Sequence, residues 1–307
     1  MAQIGLGLAA IGRPAYINLG RDEDLGADRS VETLRAEAET LLDAALAAGV
    51  GWVDTARSYG RAEEFLAGWL DSRQLAPGAL TISSKWGYAY TGEWRMDAEV
   101  HERKQLDAAQ LRRQLAQTRA LLGDRLSLYA IHSATIESGV LEDGEVLDQL
   151  AELRASGVAV GLSTTGPSQA ATIDRAVELG RFDAVQATWN LHERSAGEAL
   201  ARAQAAGLTV LVKEGVANGR LTAHAAPPEL TAVAEELDTT PDAVALAAIL
   251  ARPWVDVVLS GAVSPAMLRS NLMAGKIAWS DELEARLAPL ARAPETYWRE
   301  RAALPWG

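Results

Sequence analysis

The sequence predicts an α/β fold, a single-domain parallel (β/α)8 barrel of the TIM type, and three observations predict it. An amphipathic helix, a glycine and a short β-branched strand recur in that order along the chain; such alternation implies parallel strands joined by right-handed crossovers. Eight strands fit within about 270 residues, which suits a closed barrel better than an open sheet. The strand segments are nearly continuous apolar runs, such as Val210–Val212 and Val257–Leu259, as expected when both faces are buried.

The elements follow in order. Ile4–Leu8 reads as the first strand. Leu34, Ala38, Leu41, Leu42 and Ala45 have helical spacing, Gly49 stops that helix, and Gly51–Asp54 is the second strand. Leu80–Lys85 is the third. Leu111, Leu115, Thr118 and Leu122 mark a helix closed by Gly123, before the fourth strand, Leu126–His132. Val146, Leu147, Leu150 and Leu153 repeat the pattern, with Gly157 ahead of Val158–Ser163. Gly180 precedes Ala184–Gln186, Gly207 precedes Leu208–Lys213, and Asp256–Ser260 is the eighth strand. Glycine suits these stops because the residue after a helix usually needs a positive φ. Asp281–Leu290 reads as an extra helix and Ala293–Gly307, with Tyr297, Trp298 and Trp306, as a tail. No linker or low-complexity run divides the chain, so residues 1–307 are expected to form one domain. An open dinucleotide-binding sheet fits less well, because Gly5-Leu-Gly7 lacks a third glycine: position 10 is alanine.

Composition excludes several functions. A formal charge of −12 would repel nucleic acid or an anionic membrane. No apolar run reaches the roughly 18 residues of a membrane span, and no secretory signal is visible at Met1-Ala-Gln-Ile-Gly5. Zero cysteines leave no disulfide framework and no thiolate metal site, as suits a cytoplasmic protein. His101, His192 and His224 lack metal-ligand spacing, so no metal is expected. Only four lysines occur, Lys85, Lys104, Lys213 and Lys276, in a chain that otherwise uses arginine. A lysine at a strand end is then a candidate for a site that needs an amine.

Active sites of such barrels lie at the C-terminal ends of the strands. Asp54, Lys85 and His132 end the second, third and fourth strands, and Tyr59 follows in the loop after Asp54. A carboxylate, an ammonium, a phenol and an imidazole at one mouth make a proton-donating cluster. A neighbouring ammonium lowers a phenol's pKa from its ordinary value near 10, which would make it a better proton donor near neutral pH.

The order and spacing of these four residues resemble the catalytic tetrad of the aldo-keto reductase family. The resemblance runs in several blocks from Gly5 to Asn271. It implies hydride transfer between NADPH, with NADH possible, and a small carbonyl or alcohol such as an aldehyde, ketone or sugar. Tyr59 would be the general acid, Lys85 its tuning cation, Asp54 the partner of Lys85, and His132 a donor to the carbonyl oxygen. On the cofactor side, Ser163 and Gln186 match positions that bind the nicotinamide amide, with Thr164 in place of an asparagine. Ser260, Gly261, Ser264, Arg269 and Asn271 resemble the phosphate-binding turn. There, Met267 stands where an arginine usually clamps the 2′-phosphate, and Ser270 where a glutamate usually precedes Asn271. The segment Lys213–Leu221, including Gly219 and Leu221, matches cofactor-binding positions, but Lys213 replaces a nicotinamide-stacking aromatic. Trp189 is a candidate for that role and for the substrate pocket, and Lys213 could instead attract the phosphates.

Trp86, Tyr88 and Trp94, together with Tyr90 after Lys85 and with Tyr16 and Asn18 in the first loop, are candidates to wall a substrate pocket. Two other readings compete. One is a Schiff-base lyase or aldolase using Lys85 or Lys213. The other is a non-catalytic regulatory subunit that retains a bound cofactor.

Overall fold

The structure is a computed structural model that describes residues 2–307. Its strands are β1 (Gln3–Gly7), β2 (Trp52–Asp54), β3 (Thr81–Trp86), β4 (Tyr88–Tyr90), β5 (Glu102–Lys104), β6 (Leu126–Ala134), β7 (Ala159–Thr164), β8 (Ala184–Thr188), β9 (Thr209–Lys213) and β10 (Val257–Ser260). All but β4 and β5 close into one parallel barrel in the order β1-β10-β9-β8-β7-β6-β3-β2. This is the (β/α)8 architecture the periodicity predicts, with strand ends within about two residues of the expected ones.

The helices form where the apolar stripe can be buried. In Val31–Ala47 the buried residues are Leu34, Ala38, Leu41, Leu42 and Ala45, the set picked out by spacing. Side-chain caps start the helices: the Asp143 carboxylate accepts from the Glu145 and Val146 N–H groups, and Thr240 accepts from Ala243. Such a cap contributes about 1 kcal/mol. Inside the barrel, Leu128, Ala184, Leu211, Val257 and Leu259 form a separate apolar cluster. Gly161 lets β7 approach β8, since a Cβ there would stand 2.7 Å from the Ala184 carbonyl oxygen. No helix among the described residues is long and apolar enough to cross a membrane.

Two parts depart from the sequence reading. β4 and β5 form an antiparallel hairpin over the mouth, pairing Tyr88 with Lys104 and Tyr90 with Glu102. With three residues per strand and no fully buried face, it carries no alternation to read. The presumed tail is also structured: Pro294–Ala302 is a helix with buried Tyr297 and Trp298. Beyond it, Gly307 and Tyr16 exchange backbone hydrogen bonds of 2.8 and 3.1 Å. The expected helix Asp281–Leu290 ends at Leu287 and finishes as a 3₁₀ turn containing Pro289.

Candidate active site

The C-terminal ends of β2, β3 and β6 bring the four predicted residues together. Lys85 Nζ is buried and donates to Asp54 Oδ2 at 2.5 Å, to the Thr55 carbonyl at 3.0 Å and to Tyr59 Oη at 3.3 Å. Asp54 Oδ1 accepts from Ser83 Oγ at 2.7 Å and from Gln186 Nε2 at 3.2 Å. Both carboxylate oxygens are thereby engaged, and the ammonium is aimed at the phenol. Tyr59 is placed by a tight loop: its N–H bonds to the Ala56 carbonyl, and Arg61 N–H bonds to that of Gly12. Gly60 has φ 59°, and a side chain there would strike the Gly12 carbonyl oxygen and Arg13, so glycine is required.

His132 reaches the cluster through a bulge. The β6–β7 register shifts between Ile131 and Ala134, and Ser133 has φ 57°; such an irregularity re-aims a side chain at a strand end. The His132 ring lies edge-on to Tyr59 (centroids 5.6 Å apart) and Tyr88 (5.0 Å), with Nδ1 3.4 Å from Ser58 Oγ.

The electrostatics differ from expectation at Tyr59. A phenol acidified by Lys85 is predicted, yet its pKa is raised well above the ordinary value, by burial first and the Asp54 charge second. Desolvation of the phenolate outweighs the lowering by the Arg13 guanidinium. His132 is pushed well below the ordinary histidine value by burial, then by Lys85 and Lys213, so its imidazole is neutral at pH 7. Burial also pushes Lys213 down to about 8, against the favourable charge of Glu214. For Glu214 burial acts to raise the pKa, but Arg301 and Lys213 hold it at about 2.

These residues open into a cavity of about 380 Å³. It spans the mouth from His132 on β6 to Ser260 on β10, strands on opposite sides of the ring. Gln186, Lys213, Ser260, Gly261 and Asn271 line it as expected, as do Tyr16, Asn18 and Tyr88. Several other predicted residues do not. Trp86 is adjacent to inward-facing Lys85 and so points outward, fully buried in the outer core. Trp189, just past the end of β8, is buried in the same outer core and packs against Trp254 at 5.7 Å. Trp94 packs edge-on against Phe65 and donates to the Arg29 carbonyl. None of the three tryptophans walls the pocket.

On the expected cofactor side, Ser163 Oγ is taken by Ser133 N–H, Thr164 is buried with an unpartnered hydroxyl, and Thr165 lines the cavity instead. Gly219 packs against Leu19, and Leu221 is buried in an apolar cluster with Leu191, Leu230 and Tyr297; Asn218 and Thr222 line in their place. Ser264 caps the helix Pro265–Leu272, and Arg269 is exposed away from the lining.

Other lining residues carry no local sequence signal. Arg13 is buried, donates to Glu102 at 2.9 Å, and lies about 5 Å from the ring centroids of Tyr16, Tyr59 and Trp306. Trp306 stacks on His101 at 4.4 Å. Lys213 donates to Thr188 Oγ1 at 2.9 Å and lies 4.0 Å from Glu214. That contact exists because the strand ends at Lys213 and Glu214 turns to φ 56°. Glu214 in turn pairs with Arg301 at 2.6 Å.

A dinucleotide fits this cavity. Asn218 Oδ1 is buried there without a partner, and buried polar atoms are rarely left so. At Gly261 the position of a Cβ is open, which leaves room for a group to approach the backbone. Gln186, Ser260 and Asn271 add polar groups along the wall. No three or more potential ligand side chains among the described residues are grouped to hold a metal ion.

Comparison with known proteins gives one family. Residues 4–291 match the model of the aldo/keto reductase family. A proposed aldo-keto reductase from Pseudomonas aeruginosa is 25% identical with TM-score 0.65, covering 89% of each chain. The holo form of an aldo-keto reductase from Bacillus halodurans superposes with TM-score 0.70 at 21% identity, covering 94% of this chain and 92% of that one. A glycerol dehydrogenase from Gluconobacter oxydans gives 0.69 at 21%, covering 94% and 90%. No curated protein sequence matches the chain.

Proposed function

The chain belongs to the aldo/keto reductase family of oxidoreductases, and from that premise we propose that it moves a hydride between a nicotinamide dinucleotide and a small carbonyl or alcohol, with Tyr59 as the proton donor. One observation carries this reading: the buried Lys85 ammonium touches both the Asp54 carboxylate and the Tyr59 hydroxyl where the cavity begins.

The bound dinucleotide supplies or accepts the hydride. The protein's part is to hold the carbonyl and deliver the proton. Burial keeps Tyr59 a protonated phenol at neutral pH, so it is loaded for donation. As the proton leaves, negative charge develops on Oη beside Lys85, whose ammonium is preoriented by Asp54 and the Thr55 carbonyl. Charge stabilised only as it develops lowers the barrier rather than the ground state. Neutral His132, with Nδ1 facing Ser58, has Nε2 left to donate to the substrate oxygen. Tyr88, Tyr16 and Trp306 are the rings that would exclude water from that oxygen.

Tyr59→Phe tests the assignment. A positioned general acid contributes about 10²–10⁴ in rate, so carbonyl reduction should fall by that factor while dinucleotide affinity is retained. Turnover within about threefold of the parent would remove Tyr59 from the mechanism.

Lys213 favours a second reading, because a buried amine pushed down to about 8 is closer to the neutral form a Schiff base needs. Its contacts with Thr188 and Glu214 weigh against it. Borohydride treatment with an aldehyde present should leave no adduct; a mass gain at Lys213 would favour the lyase.

A further inference from the structure

We propose that the end of the cavity away from the catalytic cluster is built for an unphosphorylated ribose, so that the chain binds NADH in preference to NADPH; this rests on reading the cavity as a dinucleotide site. Tyr59 and His132 fix where the reacting ring must lie. The other nucleoside then lies across the mouth, beyond β10, against the helix Pro265–Leu272.

That end presents a carboxylate. Asp242 lines it and is only 8% exposed. Its Oδ2 accepts from Ser270 Oγ at 2.8 Å and from Asn271 Nδ2 at 2.6 Å, while Asn271 Oδ1 accepts from Ser260 Oγ at 2.6 Å. The carboxylate is thus pinned to the strand end, and both its partners are neutral donors. Asp24 lines the same cavity, with Oδ2 3.7 Å from His224 Nε2. His224 is already shared, since its Nδ1 lies 3.4 Å from Glu23.

Cations that could oppose these carboxylates are committed elsewhere: Arg13 to Glu102, Arg301 and Lys213 to Glu214. Arg269 does not line the cavity, and Met267 does. A dianionic 2′-phosphate at that end would face Asp242 at low dielectric, where like charges repel strongly. A 2′-hydroxyl would instead donate to a carboxylate, the arrangement that selects NAD in other dinucleotide sites. Independently, the buried and unpartnered Asn218 Oδ1 marks this cavity as one that receives a hydrogen-bond donor.

The test is calorimetric titration of the full chain with NADH and NADPH, and with ADP-ribose and its 2′-phosphate, which lack the nicotinamide. The unphosphorylated member of each pair should bind at least about tenfold tighter, with the ratio shrinking at high salt. NADPH binding as tightly as NADH, or tighter, would overturn the proposal while leaving the dinucleotide reading intact. Binding of neither would overturn both. Asp242→Asn should cut the preference at least fivefold. Because Asp242 also anchors Asn271, Met267→Arg is the second variant: a cation added to the lining should swing the ratio toward NADPH. An unchanged ratio in both variants would refute the role of these charges.

Discussion

Replacing Asp54 by asparagine removes the only carboxylate among the described residues that is bonded to Lys85. The two side chains are 4% and 1% exposed, and their ion pair is 2.5 Å long. Breaking a buried pair by removing one partner costs about 3–5 kcal/mol, because the other charge stays buried and uncompensated. Asparagine adds a second fault. Asp54 accepts from Ser83 and Gln186 on one oxygen and from Lys85 on the other; an amide has one oxygen, so its NH2 must face donors. The loss should therefore fall in the upper part of that range. An unfolding entropy of about 2.1 cal/mol/K per residue, over 307 residues, is about 0.6 kcal/mol/K, which converts a loss of about 4–5 kcal/mol to a Tm lowered by about 6–8 °C. Scanning calorimetry at neutral pH reads it directly. Lys85→Met should cost a comparable amount, and the double variant should recover about 2–3 kcal/mol relative to the sum of the singles. Additive losses, or a single-variant shift below about 2 °C, would refute the view that Asp54 and Lys85 act as one buried unit.

Two further outcomes follow from the same site. Lys213 has an ordinary lysine value of 10.5 and is pushed down to about 8 in the folded chain, so between these values the unfolded chain binds more protons and stability rises with pH. Lys213→Met should therefore stabilise the protein at pH 7 and lose that advantage by pH 10.5; the same gain in urea unfolding at both pH values would contradict the burial argument. Trp306 stacks on His101 and lies against Arg13 in the cavity wall, so Trp306→Ala should lower kcat/KM for a carbonyl substrate by roughly tenfold with dinucleotide affinity retained. Equal losses in both measurements would mean that Trp306 acts through general stability.

Strand and helix periods by themselves determined the barrel, and with it the catalytic face. Once Asp54, Lys85 and His132 end consecutive barrel strands, parallel topology forces them to one mouth, and five residues bring Tyr59 back over it. Side-chain parity corrects one expectation: Trp86, expected to wall the substrate pocket, follows Lys85 directly on a strand and points the other way, into the outer core. The rest was decided by tertiary structure. Arg13 meets Glu102 across 89 residues and Arg301 meets Glu214 across 87, through a hairpin and a C-terminal helix whose docking no local period encodes. Asp242 occupies the cavity wall because a neighbouring helix presents it to Asn271, where the family pattern would place the acid at position 270. The acidity of Tyr59 is the clearest case. The lysine beside it could be foreseen, but its effect is set against the desolvation produced by every group packed around the phenol, and that sum exists only in the folded chain.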